Sequence, residues 1–264
     1  WLAYKMILGH PMEKGERDKH IEEYFANQNI EFVLPEGFVK DSTVVLSAGG
    51  DLLSSIDARP DNTRHLWDEA REFLFDADIC CANLETPVVP SRNASFLPEK
   101  MSTKIALNNS AAMFDIFYQG GRGINFLSTA NNHSLDMDEE GLLETLSFLK
   151  EKGCTHTGTA SSEAEREDIP VIEKNGIRIA FISYTYAING KKVPKGKDFL
   201  VNYIRLNKPG VDLSMIERHV KKARFEKNAD IVVACLHWSF EFESYPFQFL
   251  IETGHRIIEL GVDV

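Results

Sequence analysis

Residues 231–236, Ile-Val-Val-Ala-Cys-Leu, are apolar at every position, with no alternation. A strand of this kind is buried on both faces, so other layers must cover it above and below. It is preceded by Asp230 and ends in His237-Trp238. Similar short apolar runs recur upstream. Thr43 to Ala48 is β-branched and ends in Gly49-Gly50-Asp51. Asp78 to Ala82 ends in Asn83-Leu84-Glu85-Thr86-Pro87, and Ile124 to Leu127 leads into Ser128 to Asp136.

Helical patterns separate these runs. Arg64 to Asp76 places Leu66, Trp67, Ala70, Phe73 and Leu74 on one face, and Ser110 to Tyr118 follows. A helix from about Glu139 to Gly153 has Asp136 as its expected cap, with Glu139 completing a capping box. Ser214 with Glu217 opens another, to about Lys227, and Phe247 to Leu260 is helical. Strands alternating with helices predict an α/β fold with a largely parallel sheet. Asn175-Gly176, between Pro170–Glu173 and Ile177–Tyr184, adds one antiparallel hairpin. Gly261 to Val264 reads as the start of a further strand, cut off. Residues 1–40 form a charge-rich arm expected to pack on a main domain spanning 41–264.

The net charge is −11, which argues against a nucleic-acid partner, since such a partner needs a basic footprint. An anionic substrate, whether small molecule or polymer, would need local positive charge from metal ions or a few lysines. No apolar run approaches the roughly 18 residues of a membrane span. The four cysteines show no CxxC spacing and are expected to be reduced, which favours a cytoplasmic setting for the form shown. Cys80 and Cys81, adjacent in one strand, should face opposite ways.

Four strands thus end in polar residues: Asp51, Asn83 with Glu85, Asn132 with His133, and His237. In a parallel sheet these ends share one edge, where α/β proteins place their chemistry. Each has an ordinary reading by itself. Asp51 suits a turn, Glu85 a solvated loop, and His133 or His237 a structural histidine. Together, two carboxylates, two imidazoles and amide oxygens suit divalent Mn, Fe, Zn or Mg. Such a set can hold two ions roughly 3.5–4 Å apart.

These pieces carry a resemblance. Gly50-Asp51, Asn83-Leu84-Glu85-Thr86-Pro87, Ala130-Asn131-Asn132-His133-Ser134-Leu135-Asp136 with Gly141-Leu142, Ile179 to Thr185, His237-Trp238 with Glu241, and Pro246 resemble the bacterial capsule-synthesis proteins of the poly-γ-glutamate (CapA-type) group. The resemblance covers about residues 43–264. It implies a calcineurin-like metallophosphatase fold, a layered αββα sandwich with mostly parallel strands, and a metal-dependent phosphoesterase activity.

It further implies Asp51 as ligand of a first metal and Glu85 as bridging carboxylate supported by Asn83. Asn132 would bind a second metal, His237 would be a further ligand, and His133 would act as general acid or orient the leaving group. Glu241 would support the ligands or touch substrate. Lys104 and the basic loop with Lys197 could hold an anionic tail, against the ordinary reading of solvated lysines. Ser239 stands where the family usually has glycine. The family's closing Gly-x-His-Pro-His segment is expected after Val264. The alternative is a non-hydrolytic component of polymer synthesis or export that binds polymer in the same cleft. A purely structural α/β domain is a third reading.

Overall fold

The computed structural model describes residues 42–53, 55, 57–96, 106–240 and 246–264, and a few positions between 23 and 39. The expected N-terminal arm lies almost wholly outside the described residues, as do Lys104 and Glu241.

Two sheets form the centre. The first is parallel, built from β1 (Leu46–Asp51), β2 (Ile79–Asn83), β3 (Phe126–Ser128) and β4 (Thr155–Thr157) in that order. The second holds β5 (Val171–Lys174), β6 (Ile177–Thr185) and β7 (Ile231–His237). β6 and β7 are parallel, and β5 and β6 form the expected antiparallel hairpin. Asn175 and Gly176 turn it at φ 52° and 78°, the left-handed pair that matches strand twist.

The sheets pack face to face. Ile79, Cys81 and Phe126 meet Ile179, Phe181 and Val233, and the Phe126 and Phe181 rings stack with centroids 4.0 Å apart. Strand alternation sends the intervening residues outward. Cys80, Ala82 and Leu127 therefore meet α2 (Ala111–Tyr118) and α3 (Asp138–Lys152) through Met113, Phe114, Phe117, Phe148 and Leu149. On the far side, Ala180, Ile182, Tyr184 and Val232 lie under α5 (Ser214–Lys221) and α6 (Gln248–Glu259). The result is the four-layer αββα arrangement, with Cys80 and Cys81 on opposite faces. Among the described residues no helix is long and apolar enough to cross a membrane.

Several local expectations fail. The Arg64–Asp76 helix shrinks to α1 (Arg71–Leu74) preceded by turns. Phe73 is 91% exposed, while Trp67 donates its indole N–H to Ile116 O at 2.9 Å and anchors the turns. β1 starts three residues later than expected. β4, only Thr155-His156-Thr157, has no apolar signature and was not foreseen. Neither expected capping box forms. α3 begins after Met137 with no side-chain cap, because the Asp136 carboxylate is used elsewhere. At α5, Asp212 Oδ1 accepts from Ser214 N at 2.9 Å in place of a Ser214 cap. α4 (Glu163–Arg166) is a single turn capped by Ser162.

Gly158, after β4, fixes the loop that follows β3. Its φ is +115°, and a Cβ there would lie 2.6 Å from Ala130 N and 2.8 Å from Ser183 Oγ. Neither the backbone nor the buried serine can yield cheaply. Gly158→Ala is expected to destabilise the chain by about 3 kcal/mol in denaturant unfolding, combining backbone strain with overpacking.

Candidate metal centre

The parallel registers bring the strand ends level. Asp51 lies opposite Asn83, Asn83 opposite Ser128, and Thr185 opposite His237. Ser128 and Ser183 hydroxyls, 2.6 Å apart, tie the two sheets at this edge. Asn83 and His237 follow the inward-facing Cys81 and Cys235 by two residues, so their side chains meet across the sheets. Asn83 Nδ2 donates to Asp51 Oδ1 at 2.7 Å and lies 3.3 Å from His237 Nδ1.

Glu85, just beyond β2, is buried at 6% exposure. Its Oε1 lies 3.7 Å from His237 Nε2 and 4.0 Å from His133 Nε2. His237 Nδ1 is 3.7 Å from Asp51 Oδ1. Asp51, Glu85 and His237 each offer a ligand atom, all within 4.8 Å of one another, which is the spacing a single cation could gather.

The loop after β3 is pinned from several sides. Asn131 Nδ2 donates to Leu84 O at 2.8 Å and Asn83 Oδ1 at 3.1 Å, while its Oδ1 accepts from His133 N at 3.0 Å. Ser134 Oγ closes the turn onto Thr129 O at 2.8 Å. His133 Nδ1 pairs with Asp136 Oδ2 at 2.7 Å, and the same oxygen accepts from Leu107 N at 2.7 Å. The carboxylate thereby holds the ring with Nε2 turned toward Glu85.

Asn132 donates through Nδ2 to Asn189 Oδ1 at 3.3 Å. Its Oδ1 is buried and has no hydrogen-bond partner among the described residues. A buried amide oxygen left unpaired costs free energy, and a cation is one way to recover it. The donor set therefore fits a divalent ion: carboxylates, an imidazole and a spare amide oxygen.

Charge in the cluster is uneven. The His237 ring and then the Asn83 amide hold the Asp51 carboxyl below its ordinary range, against the effect of burial. Burial first, then the negative charge of Asp51, pushes Glu85 up to about 7. In the folded metal-free chain Glu85 thus keeps its proton from its ordinary 4.5 up to about 7, where the unfolded chain has lost it. Its contribution to stability is present below 4.5 and is lost as pH rises through about 7. A cation reverses the sign, because it needs the ionised carboxylate. The rise in melting temperature on adding Mn²⁺ is therefore expected to grow from about pH 5 to about pH 8, as read by thermal melts across that range.

Residues 45–264 match the family described as bacterial capsule synthesis protein PGA_cap. The chain belongs to this family. It is 22% identical over 247 residues to the Capsule biosynthesis protein CapA of Bacillus anthracis, covering 90% of this chain and 56% of the relative. It is 24% identical over 198 residues to the PGA biosynthesis protein CapA of Bacillus subtilis, covering 73% and 47%. An uncharacterized protein of Sinorhizobium fredii is 31% identical over 121 residues, covering 44% and 25%. The chain spans about half the length of the two CapA relatives.

Not every residue singled out from this PGA_cap sequence joins the cluster. Asp51, Asn83, Glu85, His133 and His237 converge, with Asn132 on the same loop as His133. Lys197 instead pairs with Glu139 at the start of α3, and Lys191 pairs with Asp138 at 2.7 Å. Asp136, expected as a helix cap, orients His133. Asn131 pins the loop to β2, and Asn189 Nδ2 lies 3.4 Å from His133 Nδ1. The His133-x-x-Asp136 spacing was the one available signal for the first of these. Asn189 lies in the basic loop with Lys197 and carries no site signal in the sequence. Ser239, at the position where glycine is usual, has φ +78°, a conformation glycine adopts without steric cost.

Proposed function

We propose that this chain is a divalent-metal-dependent hydrolytic domain of the phosphoesterase type, serving bacterial capsule or poly-γ-glutamate synthesis. The observation that carries the chemistry is the convergence of Asp51, Glu85 and His237, with the orphaned Asn132 amide oxygen on the adjoining His133 loop. The capsule and PGA biosynthesis named for the CapA relatives suggests the process.

Asp51, Glu85, His237 and Asn132 would hold the metal, Mn, Fe, Zn or Mg, as one ion or a pair. When bound, such ions polarise an ester oxygen and acidify water. The chain's own residues supply the rest. Glu85, pushed up to about 7, gives up its proton near neutrality when a cation is offered. Asn83 fixes Asp51, and Asn131 fixes Asn83 and the His133 backbone. His133 Nε2 faces Glu85 while Nδ1 is held by Asp136, which supports Nε2 as the atom that would hand a proton to a leaving oxygen.

The test is hydrolysis of an aryl phosphate monoester and a diester by the metal-loaded chain. Turnover that chelation removes and Mn²⁺ restores is expected. Stoichiometric metal with no turnover on either ester would overturn the hydrolytic reading and leave the polymer-binding alternative.

A further inference from the structure

One layer beneath the polar cluster, two thiols face each other between the sheets. β2 turns Ile79, Cys81 and Asn83 inward, and β7 turns Ile231, Val233, Cys235 and His237 inward. Asn83 and His237 meet at 3.3 Å. Two residues back along each strand, Cys81 and Cys235 occupy the equivalent facing positions and pack in the same inter-sheet cluster. The strands belong to different sheets, so no backbone ladder joins them. All four cysteines are free thiols. Cys80 lies on the opposite face of β2 and Cys154 in the outer layer with it, away from this pair.

A cavity of about 300 Å³ is lined by Cys81 and Cys235 below and by Asp51, Asn83 and His237 above. Cys235 is partly exposed, whereas Cys81 is buried.

We propose that Cys81 and Cys235 are an oxidisable pair that closes into an inter-sheet disulfide. With hydrogen peroxide as oxidant, one of the two sulfurs attacks one peroxide oxygen, the O–O bond breaks, and one water leaves. The other sulfur then displaces the oxygen from the first as a second water, forming the S–S bond. Two electrons pass from the two thiols to one peroxide, and both thiol protons leave in water. The sulfurs end about 2.05 Å apart, which draws β2 and β7 together directly beneath Asn83 and His237. Weaker Mn²⁺ binding after oxidation is the consequence. That consequence rests on the metal-binding reading, whereas the disulfide itself does not.

The experiment is peroxide treatment of the purified chain, alkylation of remaining thiols, and peptide mapping by mass spectrometry without reduction. Loss of two of the four alkylatable thiols is expected, with one cross-linked peptide pair containing Cys81 and Cys235. Dithiothreitol should restore both thiols. Cys80→Ser and Cys154→Ser should still form the link, and Cys235→Ser should not. Recovery of Cys81 and Cys235 as separate peptides, alkylated or singly oxidised, would overturn the proposal. So would a cross-link that uses Cys80 or Cys154. Wild-type mapping alone decides the matter if Cys235→Ser fails to fold.

Discussion

Glu85→Gln is expected to abolish divalent-metal binding while making the metal-free chain more stable. The two effects share one cause. Glu85 is buried at 6% exposure beside Asp51, and its carboxyl is pushed up to about 7. Ionising it in the absence of a cation therefore opposes folding. The displacement from 4.5 to about 7 corresponds to a cost on the order of 3 kcal/mol above neutral pH. Glutamine keeps the shape and removes that cost, so its melting temperature at about pH 8 should exceed that of the parent. The same change removes an anionic ligand from a set of three, and the increment on adding Mn²⁺ should vanish. Thermal melts of both proteins with and without Mn²⁺ read both effects. A glutamine variant that is less stable without metal, or equally stabilised by it, would contradict this account of the buried carboxylate.

His133→Ala is expected to lower turnover by about 10²–10⁴-fold on esters with poor leaving groups. The loss should be much smaller on a nitrophenyl ester, whose leaving oxygen needs no proton. That contrast separates proton donation from a structural role, which would depress both substrates alike. Asp136→Asn should reproduce part of the loss. It leaves an acceptor for Leu107 N but no longer holds Nδ1 through a charged partner 2.7 Å away. Equal losses on both substrates would assign His133 to holding the loop.

Much of this arrangement was visible in the linear chain, for a simple reason. A parallel sheet aligns its strand ends, so polar residues that follow apolar runs must converge, and Asp51, Asn83, Glu85, His133 and His237 did. The continuous apolar run of β7 is packed on both faces, but only Val232 and Val233 are fully buried and the rest of the strand is partly exposed. What escaped depended on contacts distant in sequence. Asp136 carries the local signature of a helix cap, yet the imidazole three residues earlier and Leu107 N twenty-nine residues earlier claim its carboxylate. β4 is a strand only because β3 offers it a parallel edge, since Thr-His-Thr has no periodicity to detect. The amphipathic spacing of Arg64 to Asp76 was genuine, but only Trp67, Ala70 and Leu74 turn inward. Asn189 reaches His133 from fifty-six residues away, in a loop whose sequence carries no site signal. Lys197 was noted for its charge, and charge alone did not disclose that Glu139 would neutralise it.

The central claim is that Asp51, Glu85, His237 and Asn132 hold a divalent cation. Titration of the metal-free chain with Mn²⁺, following the free ion by electron paramagnetic resonance, tests it most directly. Saturable binding of at least one ion is predicted, lost in Glu85→Gln and weakened in Asn132→Ala. Binding no greater in the parent chain than in Glu85→Gln, with Zn²⁺ and Fe²⁺ behaving the same way, would contradict it.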